Sequence, residues 1–125
     1  MIVGMGIDVC SIERMRGALE RHGERFFGRI CSAAEREDLA GREVATALAG
    51  RFAAKEAFAK ALDGARGVAW HDCEVRRTES GKPRLELKGT ALAMAERFGA
   101  DTWHVSISHD GGVAVAVVIL ETRKS

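Results

Sequence analysis

The chain has 125 residues, with 19 Lys and Arg against 18 Asp and Glu and a formal net charge of +1. This balance excludes a general polyanion binder, so any attraction to phosphate must be local, and nucleic acid is not an expected partner. The length predicts one domain, residues 1–125, with a real core.

Cys10, Cys31 and Cys73 are scattered with no Cys-x-x-Cys spacing. An odd, dispersed set argues against a disulfide framework or a zinc site and fits a reducing cytoplasm. Met1–Gly6 has no basic run and soon meets Asp8, so no signal peptide is expected. The longest apolar run, Val113–Leu120, is strand-sized, so no membrane partner is expected.

In chain order, Ile2–Val9 predicts a buried first strand, thinned by Gly4 and Gly6, which allow close backbone or ligand approach, with Asp8 near its end. Ser11 caps a helix with Ile12, Met15 and Leu19 inward. Its outer face carries Arg14 and Arg21, and Arg25 continues the stripe. Ser32-Ala33-Ala34-Glu35 is a capping box for a short second helix. Beyond Gly41, a long alanine-rich helix runs over roughly Glu43–Leu62 and ends at the loop Asp63–Gly67. The period then changes. Val68–Arg77 predicts a strand, Ser80–Pro83 a turn, and Arg84–Lys88 a partner strand with Leu85 and Leu87 inward. Thr90–Phe98 predicts a helix closed by Gly99. Trp103, Val105 and Ile107 alternate with His104, Ser106 and Ser108, and Asp110-Gly111-Gly112 turns the chain into Val113–Leu120, making a hairpin. The sum is an α+β fold, a mainly antiparallel sheet with helices packed on it.

The long helix carries an unusual charge arrangement. Leu48, Phe52, Ala59 and Leu62 recur at helical spacing and face a core, yet Arg51 and Lys55 fall inside the same arc. Glu56 and Lys60 form an i,i+4 pair along its flank. Cations beside an apolar seam either extend past it or meet something anionic. Asp8 and Glu56, with Lys and Arg nearby, suit a hard cation such as Mg²⁺ shared with substrate phosphates. His104 and His109, interleaved with Ser106 and Ser108, place imidazole and hydroxyls opposite the buried Trp103/Val105/Ile107 face. No Walker A loop, nucleophile elbow or His-Glu-x-x-His motif is present.

Gly6-Ile7-Asp8 with Ile12-Glu13-Arg14, the block Gly50–Phe58 (GRFAAKEAF), Gly81-Lys82-Pro83 and Val105-Ser106-Ile107-Ser108-His109 follow one another in a specific order. In these motifs the whole chain resembles the holo-acyl-carrier-protein synthase family, the small bacterial class of 4′-phosphopantetheinyl transferases. The resemblance implies that Asp8 and Glu56 hold Mg²⁺ against the pyrophosphate of coenzyme A, with Lys60 beside it as a third catalytic residue. It implies that Arg51, Lys55, Gly64, Gly81, Lys82, Pro83, Ser108 and His109 lie near the coenzyme. Arg14, Arg21, Arg25 and Arg29 match a basic face that docks the acidic helix of an apo acyl carrier protein. It further implies a homotrimer with active sites at subunit interfaces, working in lipid metabolism. Asp63-Gly64-Ala65 stands where the family usually has Gly-Thr-Gly-type residues, and Val113 where it often has an aromatic.

The implied reaction is attack of a carrier serine on the β-phosphate of coenzyme A. Phosphopantetheine is transferred and adenosine 3′,5′-bisphosphate leaves, with Glu56 as base, directly or through a metal-bound water. The rivals are a Mg²⁺-dependent nucleotide hydrolase and a non-catalytic domain that binds an acidic helix through Arg14, Arg21 and Arg25.

Overall fold

A computed structural model describes residues 1–64 and 67–123. The order is β1 (Ile2–Ser11), α1 (Ile12–Ile30), α2 (Ala33–Asp38), α3 (Val44–Ala61), a 3₁₀ turn (Trp70–Asp72), β2 (Cys73–Arg77), β3 (Pro83–Leu87), α4 (Gly89–Arg97), β4 (Thr102–Asp110) and β5 (Val113–Glu121). The strands form an antiparallel three-stranded sheet in the order β1-β5-β4 and a separate β2-β3 hairpin. The expected α+β architecture is therefore present.

Local chemistry sets the helix starts. Ser11 accepts from the amide of Arg14, and Ser32 and Glu35 close a full capping box. Glu43 accepts from the amide of Thr46 at the start of α3. Its carboxyl is pulled down to about 2 by that amide and by the Arg16 guanidinium. Helix α3 ends with Asp63 and Gly64 both at positive φ, the Gly64 amide donating to Ala59 O at 2.8 Å. Ala65 and Arg66 of the expected loop lie outside the described residues.

Helix α3 is the central rod. Phe58, Ala61 and Leu62 join Val75, Leu85, Val118 and Leu120 in one core. Leu48 and Ala49 join Met15, Ile30, Leu39 and Ala114 in a second. A helix buried on nearly every side has no single apolar seam. Arg51 and Lys55, expected inside the apolar arc, are thus enclosed.

Three expectations are corrected. Val68–Arg77 is a strand only from Cys73; Trp70–Asp72 is a 3₁₀ turn because Trp70 stacks on Phe52 of α3, ring centroids 5.4 Å apart. Helix α1 breaks at Gly23 (φ 55°, ψ −137°), so Arg25 does not continue the stripe of Arg14 and Arg21 on one straight helix. Strand β1 is buried on one face only: Met5, Ile7 and Val9 are 63%, 58% and 56% exposed. These residues pair across β5 with Ile119, Val117 and Val115, leaving an apolar outer sheet face.

Candidate active site

The inner face of β1 meets α3 through glycine. A Cβ built on Gly4 would lie 2.2 Å from Ala61 O, and one on Gly6 would lie 2.0 Å from Ala57 O. The expected close approach is therefore to the backbone of α3. This contact carries the next inward residue, Asp8, alongside the helix. Asp8 Oδ1 accepts from Lys60 Nζ at 2.7 Å, and Lys60 Nζ also donates to Ile7 O at 3.3 Å. Glu56 stands one turn earlier on α3 and is half-buried. Asp8 and Lys60, 52 residues apart, are brought together, with Glu56 on the same helix as Lys60.

Two concavities flank this pair. A groove of about 740 Å³ is lined by Val9, Cys10, Arg14, Met15, Arg21 and Phe26, with Phe52 in its wall. A cavity of about 470 Å³ is lined by Lys55, Glu56, Phe58, Lys60, Gly64 and Trp70, among others. Val9 and Cys10 of the groove follow Asp8 in the chain, while Asp8's partner Lys60 lines the cavity. The Phe52–Trp70 stack is shared between the two, since each concavity takes one of its rings. The first is a basic groove with an apolar floor; the second is apolar with two lysines and a carboxylate in its lining.

Lys55 is enclosed. Its Nζ donates to Glu35 Oε1 and to Trp70 O, both at 2.8 Å, with side chains 2% and 0% exposed for Lys55 and Glu35. Glu35 also accepts from the amides of Ser32 and Val75. Ser32 Oγ donates to Glu74, which pairs with Lys88 at 3.4 Å. A buried ion pair persists when further hydrogen bonds satisfy its groups; here both Glu35 oxygens accept and two of the three Lys55 ammonium protons are donated within the protein. Arg51 is 6% exposed; its Nη1 reaches only Ala47 O at 3.5 Å and its Nε has no partner among the described residues. Burial pushes its guanidinium below the ordinary value. Glu35, Phe52 and Trp70 are site-shaping residues that sequence reasoning did not assign. The capping box located Glu35, but no local signal pointed to Lys55, 20 positions away.

The other expected residues lie elsewhere. Lys82 and Pro83 border a cavity of about 560 Å³ with Trp103 and His104, which shares no lining residue with the cavity at Lys60. Gly81 lies in the exposed β2–β3 turn at φ 88°. Ser108 is opposite Val115 on the outer sheet face, whereas His109 is opposite Ala114, itself opposite Cys10. His109 therefore shares the face of Trp103 and Ile107, correcting the grouping of both histidines with the serines. Arg14, Arg21, Arg25 and Arg29 are exposed, and of these Arg14 and Arg21 line the groove. The second half of α1 is tied down instead, by Glu24 to Arg36, by Arg36 over the Phe27 ring and by His71 Nε2 donating to Gly28 O.

Nucleophilic cysteine chemistry is disfavoured at this site. Burial pushes the Cys31 and Cys73 thiols up to about 12 and raises Cys10 as well. Among the described residues no three His, Cys, Asp or Glu side chains cluster as a metal cage. Asp8 and Glu56 are two hard oxygen donors beside a cation-lined cavity. That donor set fits Mg²⁺, which takes one or two carboxylates and completes its shell with water and substrate phosphate.

The chain belongs to the 4′-phosphopantetheinyl transferase superfamily, whose sequence profile matches residues 4–118. Within it, a holo-[acyl-carrier-protein] synthase of Solidesulfovibrio magneticus is 52% identical over 123 residues, spanning 97% of this chain and 99% of the relative. The structure of the holo-[acyl-carrier-protein] synthase of Neisseria meningitidis matches at a TM-score of 0.86 and 35% identity, covering 98% of this chain and 100% of that one. The Helicobacter pylori enzyme, solved in complex with coenzyme A, matches at 0.82 and 30%, covering 94% and 99%.

Proposed function

We propose that the chain is a holo-acyl-carrier-protein synthase, moving 4′-phosphopantetheine from coenzyme A to a serine of an apo acyl carrier protein. The observation that carries the site assignment is the Asp8–Lys60 pair between a basic groove and an apolar cavity. Family membership and the coenzyme A complex of a relative support the same substrates.

The carrier's acidic helix lies against Arg14 and Arg21, its apolar side over Met15 and Phe26. Arg25 and Arg29, beyond the break at Gly23, add long-range attraction. The coenzyme's pyrophosphate sits at Lys60, whose ammonium turns from Asp8 to meet the developing charge. The serine Oγ forms a bond to the β-phosphorus, and the bond from that phosphorus to the bridging oxygen breaks. The electron pair leaves with adenosine 3′,5′-bisphosphate, and Glu56 accepts the serine proton. Asp8 and Glu56 would hold Mg²⁺, which when bound neutralises pyrophosphate charge.

The outer sheet face carries Met5, Ile7 and Val9 of β1 against β5, uncovered in one chain. We assign it to a homotrimer interface. Lys82, Pro83, Ser108 and His109, apart from the cavity at Lys60 within one chain, then serve the coenzyme bound at a neighbouring subunit. No helix among the described residues is long and apolar enough to cross a membrane, and all three cysteines are free, in keeping with a cytoplasmic protein.

The test is the nucleotide product. With coenzyme A, Mg²⁺ and an apo carrier, adenosine 3′,5′-bisphosphate should appear in step with carrier consumed. Release of inorganic phosphate or AMP without carrier would instead mark a hydrolase. Carrier binding with no product would mark a docking module.

A further inference from the structure

Lys55 sits on the same helix as Lys60, one turn and one residue earlier, yet the two ammonium groups have opposite surroundings. Lys60 is exposed and engaged at Asp8, while Lys55 is enclosed between Glu35 Oε1 and Trp70 O. Both lysines border the same cavity, but two of the three Lys55 ammonium protons are committed, to Trp70 O and to a carboxylate that the Ser32 amide and the Val75 amide hold in place. Removing one partner of a buried pair is costly because the other charge is left unmatched. The Trp70 carbonyl that Lys55 holds belongs to the residue whose ring stacks on Phe52 and lines the cavity at Lys60.

From this geometry we infer that Lys55 is a positioning residue. Its charge, matched by Glu35, anchors the Trp70 wall between the coenzyme cavity and the carrier groove, and it makes no contact with phosphate. The inference rests on the transferase reading for the identity of the ligand but not for the anchor itself. Glu35, Lys55 and Trp70 then act as one unit, linking α2, α3 and the 3₁₀ turn.

The experiment compares the wild type with the double variant Lys55→Met/Glu35→Gln, which removes both charges and leaves no unmatched ion. Each is placed in a Trp103→Phe background so that Trp70 is the sole indole. Acrylamide quenching of Trp70 without ligand should rise at least twofold in the variant. The salt dependence of adenosine 3′,5′-bisphosphate binding should stay as in the wild type, while the KM for coenzyme A rises several-fold. A second measurement needs no variant: on titrating wild-type protein with the bisphosphate, the ¹⁵N signal of the Lys60 ammonium should shift and that of Lys55 should stay. Unchanged Trp70 quenching, a weakened salt dependence, or a shift at Lys55 comparable with that at Lys60 would each overturn the inference. If the wild type bound no bisphosphate, the transferase reading would fail, and the ligand-free quenching would still decide the role of Lys55.

Discussion

Replacing Gly6 by alanine places one methyl group against the backbone of α3. The new Cβ would lie 2.0 Å from Ala57 O, 2.8 Å from Ala61 N and 3.0 Å from Ala57 C, where ordinary contact begins near 3.4 Å. None of these atoms belongs to a flexible side chain, so β1 and α3 must separate by about 1.4 Å along the Cβ–O line. Overpacking of this kind costs roughly 1–3 kcal/mol. At about 3–6 °C per kcal/mol for a chain of this size, Tm should fall by roughly 3–18 °C. The separation also moves Asp8, two residues on, from Lys60. A misplacement near 1 Å typically costs about 10²-fold in rate. The assay pairs thermal unfolding with single-turnover transfer at saturating coenzyme A, measured well below the lowered Tm. Gly28→Ala is the control: its Cβ would meet only Arg36 Nη1 at 3.6 Å, inside a helix, so stability should hold or rise by about 0.5–1 kcal/mol. Wild-type Tm and turnover in Gly6→Ala would refute the claim that this glycine contact sets the distance between Asp8 and Lys60.

Asp8→Asn or Glu56→Gln should slow transfer on the order of 10²–10³-fold with the fold retained by circular dichroism, and EDTA should do the same to the wild type; full turnover in either variant would exclude its carboxylate from the chemistry. Arg14→Glu with Arg21→Glu should raise the carrier KM strongly and leave coenzyme A affinity nearly unchanged, with the wild-type interaction weakening as salt rises. Val117→Lys, on the outer sheet face opposite Ile7 and Ser106, should dissociate the trimer in light scattering and remove activity with it; an active monomer would contradict the interface. The Glu43 carboxyl, held near about 2 against an ordinary 4.5, contributes stability that is present above pH 4.5 and is lost as pH falls toward 2. The Tm advantage of wild type over Glu43→Gln should therefore shrink across that window and be absent below it.

What the sequence made legible was what adjacent residues decide. The Ser32–Glu35 capping box, the Ser11 cap and the β4–β5 hairpin follow from spacing, and all are present. The glycines of β1 announced a close approach, and α3 fills it. Partners distant in sequence were not legible. Nothing near Glu35 indicates Lys55, and nothing in Val68–Asp72 indicates that stacking on Phe52 will turn the chain before β2 begins. A helical apolar period continues through residue 23, so the break there depended on recognising that Gly23 reaches a backbone conformation closed to other residues. His109 was misplaced for a different reason. Alternation along β4 puts it on the side of Ile107, but its chemistry resembles that of its serine neighbours. The apolar outer face of β1 was read as core because a strand written in Ile, Met and Val carries no mark of whether its cover comes from its own chain.

Weighing the carrier tests transferase function most directly. Apo acyl carrier protein, incubated with this protein, coenzyme A and Mg²⁺, should gain the mass of one phosphopantetheine group at its acceptor serine in the intact-mass spectrum. The gain should be absent with the serine replaced by alanine and strongly slowed with Asp8→Asn. A carrier whose mass stays unchanged under these conditions, with the wild-type protein folded and coenzyme A bound, would contradict the assignment.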